Sequence, residues 1–113
     1  MTMQVTIENR SGVHVVRIAD ERIGDQDRAL SQAVIRLIDA RGARVVLDLS
    51  RVKIISSSGL GEMVTLTARA NQYGSQVVLA GPSAFVAGVL ETTKLNRFFR
   101  VFATVDAAVA ALA

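Results

Sequence analysis

Cysteine is absent from this 113-residue chain, which excludes a disulfide framework, a thiolate zinc site and a cysteine nucleophile. A reducing compartment suits such a chain, and the cytoplasm is the expected location. Aromatic residues make up 4% of the sequence, too few for a base-stacking platform. The basic residues are scattered from Arg10 and Arg28 through Arg44, Lys53, Arg69 and Lys94 to Arg100, so no nucleic-acid partner is expected. His14 is the single histidine and no Gly-X-Ser-X-Gly elbow is present, which leaves nothing to build a Ser-His-Asp triad. Glu62 and Glu91 fall far apart on helical patterns, with no cluster to hold a metal. The expectation is a protein without catalytic residues, metal or cofactor. No apolar run approaches the ~20 residues of a membrane span, and Met1-Thr2-Met3-Gln4-Val5 lacks the layout of a signal peptide.

What the chain has is aliphatic. Half its residues are apolar, so the core must be built from Val, Leu, Ile and Ala, the mixture usual where helices pack on a parallel sheet. The length fits one domain over residues 1–113, large enough to bury a core of its own. A net charge of +3 is mild and suits an acidic protein surface as partner.

Met3, Val5 and Ile7 alternate with polar residues, predicting a strand over Met3–Glu8 with one buried face, and Val13–Ile18 reads as a second strand. Asn9-Arg10-Ser11-Gly12 has the chemistry of a hairpin turn. Between Asp25 and Ala40 the pairs Ala29/Leu30, Ala33/Val34 and Leu37/Ile38 recur four apart, predicting a helix closed by Arg41-Gly42. Val45–Leu49 and Gln76–Ala80 are apolar strands separated by a helical pattern from Gly59 to Tyr73, so they pair in parallel through a right-handed crossover. Ser83 caps a short helix carrying Phe85, Val86, Val89 and Leu90. A short apolar run, Phe98–Phe102, follows, and Thr104-Val105-Asp106 starts a last helix. The fold class is α/β, with a mixed central sheet of four to five strands and about four helices.

Ile55-Ser56-Ser57-Ser58-Gly59-Leu60-Gly61 lies where a buried strand gives way to an amphipathic helix. Its hydroxyls are phosphorylatable, and helix-start amides favour an added anion. The ordinary role of such serines is capping, with Ser57 or Ser58 as the cap, and capping can coexist with a switch. Gly59-Leu60-Gly61 lacks the third glycine of a dinucleotide fingerprint and the Gly-Lys-Ser/Thr of a phosphate loop, so it is read as turn and close-packing chemistry.

Leu47-Asp48-Leu49-Ser50-Arg51-Val52, followed by Ile55-Ser56-Ser57-Ser58-Gly59-Leu60-Gly61, resembles the signature of STAS domains of the bacterial anti-sigma factor antagonist type. The resemblance extends over nearly the whole chain. It implies partner switching: the unphosphorylated antagonist binds an anti-sigma factor that is also a serine kinase with a histidine-kinase-like ATPase fold, and a sigma factor is released. Phosphorylation reverses that binding, and a phosphatase can restore it. Matching the family motif on Gly59 puts the acceptor at Ser57, with Ser58 and Ser56 as lesser candidates. Ser56 occupies the position of a family Asp, a departure that removes a carboxylate beside the acceptor.

The partner surface expected from this resemblance runs through Asp48, Lys53, Ser56, Ser57, Ser58, Gly59, Leu60 and Gly61 to Glu62, Thr65 and Arg69, although Asp48 also reads as a structural hydrogen-bonding group. Met63, Val64 and Ala70 are expected to pack inward. Leu95, Phe98 and Phe99 read either as a second contact patch or as core beneath the last helix. The free protein is expected to be a monomer. The alternative reading is a non-switching STAS interaction subunit of a stress-signalling or lipid-transport assembly.

Overall fold

Ser11 and Gly12 both take positive φ, 56° and 80°, the conformation that joins two strands by a two-residue turn. The strands they join are β1 (Val5–Arg10) and β2 (Val13–Ile18), paired antiparallel from Val5↔Ile18 to Arg10↔Val13. The computed structural model describes residues 5–23 and 29–113. Met3 and Gln4, expected on the first strand, and Asp25 to Arg28, expected at the start of the first helix, lie outside the described residues.

After β2 come β3 (Arg22–Ile23), α1 (Ala29–Ile38), β4 (Arg44–Asp48), β5 (Ile54–Ile55) and α2 (Ser57–Gln72). Then follow β6 (Gln76–Ala80), α3 (Ala84–Thr92), a single 3-10 turn at Leu95–Arg97, β7 (Val101–Phe102) and α4 (Val105–Leu112). Among the described residues the main sheet has five strands in the order β1-β2-β4-β6-β7, and four α-helices cover it. The strands from β2 to β7 run parallel, with β4 and β6 in register from Arg44↔Gln76 to Asp48↔Ala80. The sheet is therefore mixed, as expected. A separate two-stranded sheet pairs β3 with β5.

Alternation along the strands sorts the core into two layers. Val16, Ile18, Val45, Leu47, Val77 and Leu79 face α1, α2 and α3. Val13, Val15, Val46, Val78 and Ala80 face α4 alone, through Ala108, Val109 and Leu112. On α2, Met63, Leu66 and Ala70 are buried at helical spacing, and each large side chain of this kind stabilises the fold by roughly 1.5–3 kcal/mol. Gly42, with φ 75°, supplies the left-handed residue expected beyond α1.

Two expectations, for Ile7 and Phe99, are corrected, and two others, for Phe85 and the Phe98–Phe102 run, are made more specific. Ile7 belongs to the alternation of β1 but is 48% exposed, because β1 is the sheet edge and the helices gather over its centre. Phe85, expected among the apolar residues of α3, is 56% exposed. The Phe98–Phe102 run yields only a two-residue strand at Val101–Phe102. Phe99 is buried with Leu95 against it in the layer under α1 to α3, not beneath α4, which lies across the sheet, and Phe98 meets the Phe99 ring edge-on at 5.1 Å.

Candidate functional site

The end of β4 is locked before the chain reaches α2. Asp48 is a buried carboxylate at the last position of the strand. It accepts from Arg17 Nε at 3.1 Å and from the Ser50 N–H at 3.0 Å. Burial alone would push this carboxyl up, but the hydrogen bonds from Ser50 and the Arg17 guanidinium outweigh it and hold the group below the ordinary carboxylate range. Asp48 is thus part of the scaffold beneath the junction, and its expected place on the partner surface is corrected.

Residues 49–56 then cross the carboxyl end of the sheet. The Leu49 N–H donates to Ala80 O, and the Val52 side chain is fully buried. Glu21 O accepts from both the Lys53 and Ile54 amides at 2.7 and 3.0 Å, and Ile23 O accepts from the Ser56 amide at 2.9 Å. The small β3–β5 sheet therefore sets the position from which α2 departs. Periodicity gives no signal for strands two residues long; the only trace of them is the apolar Ile23 and the pair Ile54-Ile55.

Ser56, with φ −79° and ψ 164°, is the N-cap of α2: its Oγ accepts from the Gly59 N–H at 3.0 Å. The expectation that Ser57 or Ser58 caps the helix is corrected. Pairing of the Ser56 amide with Ile23 holds Ser56 extended, and extended backbone is what a cap requires. Asp and Ser are comparable caps, so Ser56 does the structural work that a carboxylate at this position would do. Gly59 is buried against β3: a Cβ there would lie 2.8 Å from both Ile23 Cγ2 and Ile23 O. Close packing thus explains Gly59. It does not explain Gly61, where a Cβ would meet nothing within 4 Å.

Ser57 and Ser58 are both exposed in the first turn, which contains no acidic residue. Ser57, Gly61 and Thr65 form an exposed stripe at four-residue spacing along α2, with the Thr65 hydroxyl donating to Gly61 O. The flank of the stripe is already engaged. Glu62 accepts a hydrogen bond from the Ser31 hydroxyl of α1. Arg69 holds Asp39 through two hydrogen bonds of 3.1 and 3.0 Å, and this carboxylate raises the guanidinium pKa. Leu60 is half-buried against the core, and Lys53 is exposed and paired with Glu21 at 3.2 Å. Of the expected surface, Lys53, Ser57, Ser58, Gly61 and Thr65 are brought together as exposed groups, whereas Glu62 and Arg69 are tied to α1 and Gly59 is interior. Ile54, 52% exposed and next to Lys53, adds an apolar contact that was not singled out from the sequence.

Such a site has positive helix-start character, two free hydroxyls and a rigid base, but no general base. Exposed hydroxyls on a fixed backbone can accept a modification or a partner. No helix among the described residues is long and apolar enough to cross a membrane.

A family model, the STAS domain, matches residues 4–108. An anti-sigma factor antagonist from Mycobacterium paratuberculosis is similar to this chain at 27% identity and a TM-score of 0.73, covering 97% of this chain and 93% of its own. An anti-sigma-factor antagonist (STAS) domain protein from Planctomyces limnophilus matches with a TM-score of 0.77 at 20% identity, over 99% of this chain and 98% of its own. A sulfate transporter family protein from Wolinella succinogenes has the same fold, with a TM-score of 0.71 at 20% identity over 93% of this chain and 88% of its own.

Proposed function

The chain belongs to the STAS domain family, and from that premise we propose that it is an anti-sigma factor antagonist whose binding is switched off by phosphorylation of Ser57. The observation that carries the reading is the exposed Ser57-Ser58 pair in the first turn of α2, beside a cap already supplied by Ser56. Capping does not need Ser57, so its hydroxyl is free for other work. The mycobacterial antagonist, similar over nearly the whole chain, supports an anti-sigma factor as the partner class; that this partner is also the serine kinase is part of the proposal.

Phosphorylation at Ser57 adds roughly −1.5 to −2 charge and three acceptor oxygens. Within the protein that charge meets the positive end of α2, whose first turn holds no acidic residue. A partner seated on Ile54, Ser57, Gly61 and Thr65 would instead have to desolvate the phosphate or withdraw. A change of ~1.4 kcal/mol already shifts affinity tenfold, so no refolding is required. A phosphatase would restore binding.

Affinity capture from host lysate with wild type, Ser57→Ala and Ser57→Glu as baits tests this reading, with captured proteins identified by mass spectrometry and the phosphosite mapped after addition of ATP. An ATP-binding anti-sigma factor retained by wild type and Ala, lost by Glu, and phosphorylating Ser57 supports the switch. The transporter-family relative and the absence of a carboxylate at Ser56 favour a second reading, a constitutive interaction subunit. Retention of one non-kinase partner by all three baits would establish that reading instead.

A further inference from the structure

A cleft of about 230 Å³ opens between α2, β6 and the segment leading into β7, lined among others by Thr67, Asn71, Gln76, Arg97, Phe99 and Arg100. Thr67 is 5% exposed, and its hydroxyl has no hydrogen-bond partner among the described residues. Buried hydroxyls are nearly always paired, because leaving one unsatisfied destabilises the fold. A threonine in a helix can donate to the carbonyl one turn back, as Thr65 and Thr93 do, yet Thr67 does not.

The sheet leaves further donors at the same place. β7 pairs only with Leu79 and Ala80, so Gln76 to Val78 have no strand on that side. The Leu79 and Gly81 amides donate toward β7, to Arg100 O and Phe102 O, and Val77, two residues earlier, directs its amide the same way. At the rim, Arg97 and Arg100 are exposed cations with no carboxylate partner among the described residues; Arg100 rests over the Phe102 ring at 5.1 Å.

Two cations, two side-chain amides and a backbone edge converge on a space too small for a drug-sized molecule, with the enclosed Thr67 hydroxyl beneath it. We infer that this cleft binds a small polar anion, a carboxylate or phosphate ester of a few carbons, with its charge on Arg97 and Arg100 and its body against Asn71 and Gln76. Thr67 is ten residues along α2 from Ser57, roughly 15 Å at 1.5 Å per residue, so this site is separate from the proposed switch.

The test is a two-dimensional NMR titration of the full chain with malate, glycerol phosphate and inorganic phosphate, each added alone. Saturable shifts confined to the amides of Gln76, Val77 and residues 97–100 are expected, and whichever of malate and glycerol phosphate binds more tightly identifies the headgroup. Arg97→Gln with Arg100→Gln should weaken binding at least tenfold, while Arg36→Gln with Arg41→Gln leaves it unchanged. Asn71→Ala with Gln76→Ala should weaken it severalfold. Absence of saturation with all three anions overturns the proposal. So do shifts spread equally over other arginines, meaning adventitious ion pairing only, or binding that survives the paired Arg97 and Arg100 substitutions. Those two arginines are exposed, so their replacement carries the test without disturbing the fold.

Discussion

The junctions from β4 to α2 and from β6 to α3 perform the same task with different chemistry. Asp48 and Ala80 are register partners at the ends of neighbouring parallel strands, and each is followed by a helix capped by serine. The β6 junction is the short Gly81-Pro82-Ser83, where Ser83 Oγ accepts from the Val86 N–H at 3.2 Å. The β4 junction spans residues 49–56, anchored below by Asp48 and beside by β3. Beyond the caps they diverge: Ser57-Ser58 stand exposed on α2, but Ala84-Phe85 on α3. A capping serine is therefore no mark of a switch. The features that set the β4 junction apart are spare hydroxyls after the cap and a backbone held from below.

The comparison breaks most strongly at Gly59. Gly59→Ala forces a Cβ against Ile23 and should destabilise the protein by about 1–3 kcal/mol, whereas Gly61→Ala, two residues on in open space, should stabilise it by up to ~1 kcal/mol. Urea unfolding measures both, and the same sign for the two would contradict the packing described at β3. Next in size is the functional contrast. Phosphorylation of Ser57 should weaken binding of the captured anti-sigma factor at least tenfold, about 1.4 kcal/mol, as read by calorimetry. Phe85→Ser, at the equivalent turn of α3, should change stability by less than ~0.5 kcal/mol, as expected of an exposed side chain.

The caps themselves should be alike. Ser56→Ala and Ser83→Ala are each expected to cost about 1 kcal/mol, while Ser57→Ala leaves the melting temperature nearly unchanged. If Ser57→Ala alone proved destabilising, Ser57 and not Ser56 would be the cap.

A modest, pH-dependent effect belongs to Asp48, whose counterpart across the register is Ala80. Its depressed carboxyl pKa means that the folded state holds fewer protons than the unfolded chain in the acid range. The resulting stability is fully present above the unfolded value of about 3.9 and is lost as pH falls from there through the folded value. Asp48→Asn should lower stability at neutral pH by about 0.5–1 kcal/mol, modest because Arg17 is half-exposed, and the gap to wild type should close in strong acid. A gap independent of pH would mean that packing, not the ion pair, is lost.

Much of the architecture was legible in the chain. Asn9-Arg10-Ser11-Gly12 announced the hairpin, whose turn is Ser11-Gly12, the four-residue spacing of apolar pairs announced α1, and Ser83 and Thr104 were recognisable as caps, the latter accepting from the Ala107 N–H at 3.1 Å. These signals are local: each is carried by residues within a few positions of one another, so periodicity and turn chemistry suffice. The Ser56-Ser57-Ser58 cluster was equally visible, but which serine caps was not, because that choice rests on a hydrogen bond to Ile23.

By itself, the sequence determined the order of the four longer strands and the helices, the parallel crossover between β4 and β6, and the presence of hydroxyls at the start of α2. Only the tertiary structure decided that Asp48 is buried, that Gly59 must be glycine, that Ile7 and Phe85 remain exposed, and that Thr67 is left without a partner. The physical reason is distance along the chain. Arg17 and Asp48, or Ile23 and Gly59, meet only after the sheet has formed, and burial is a property of the neighbours that folding brings, not of the residue itself.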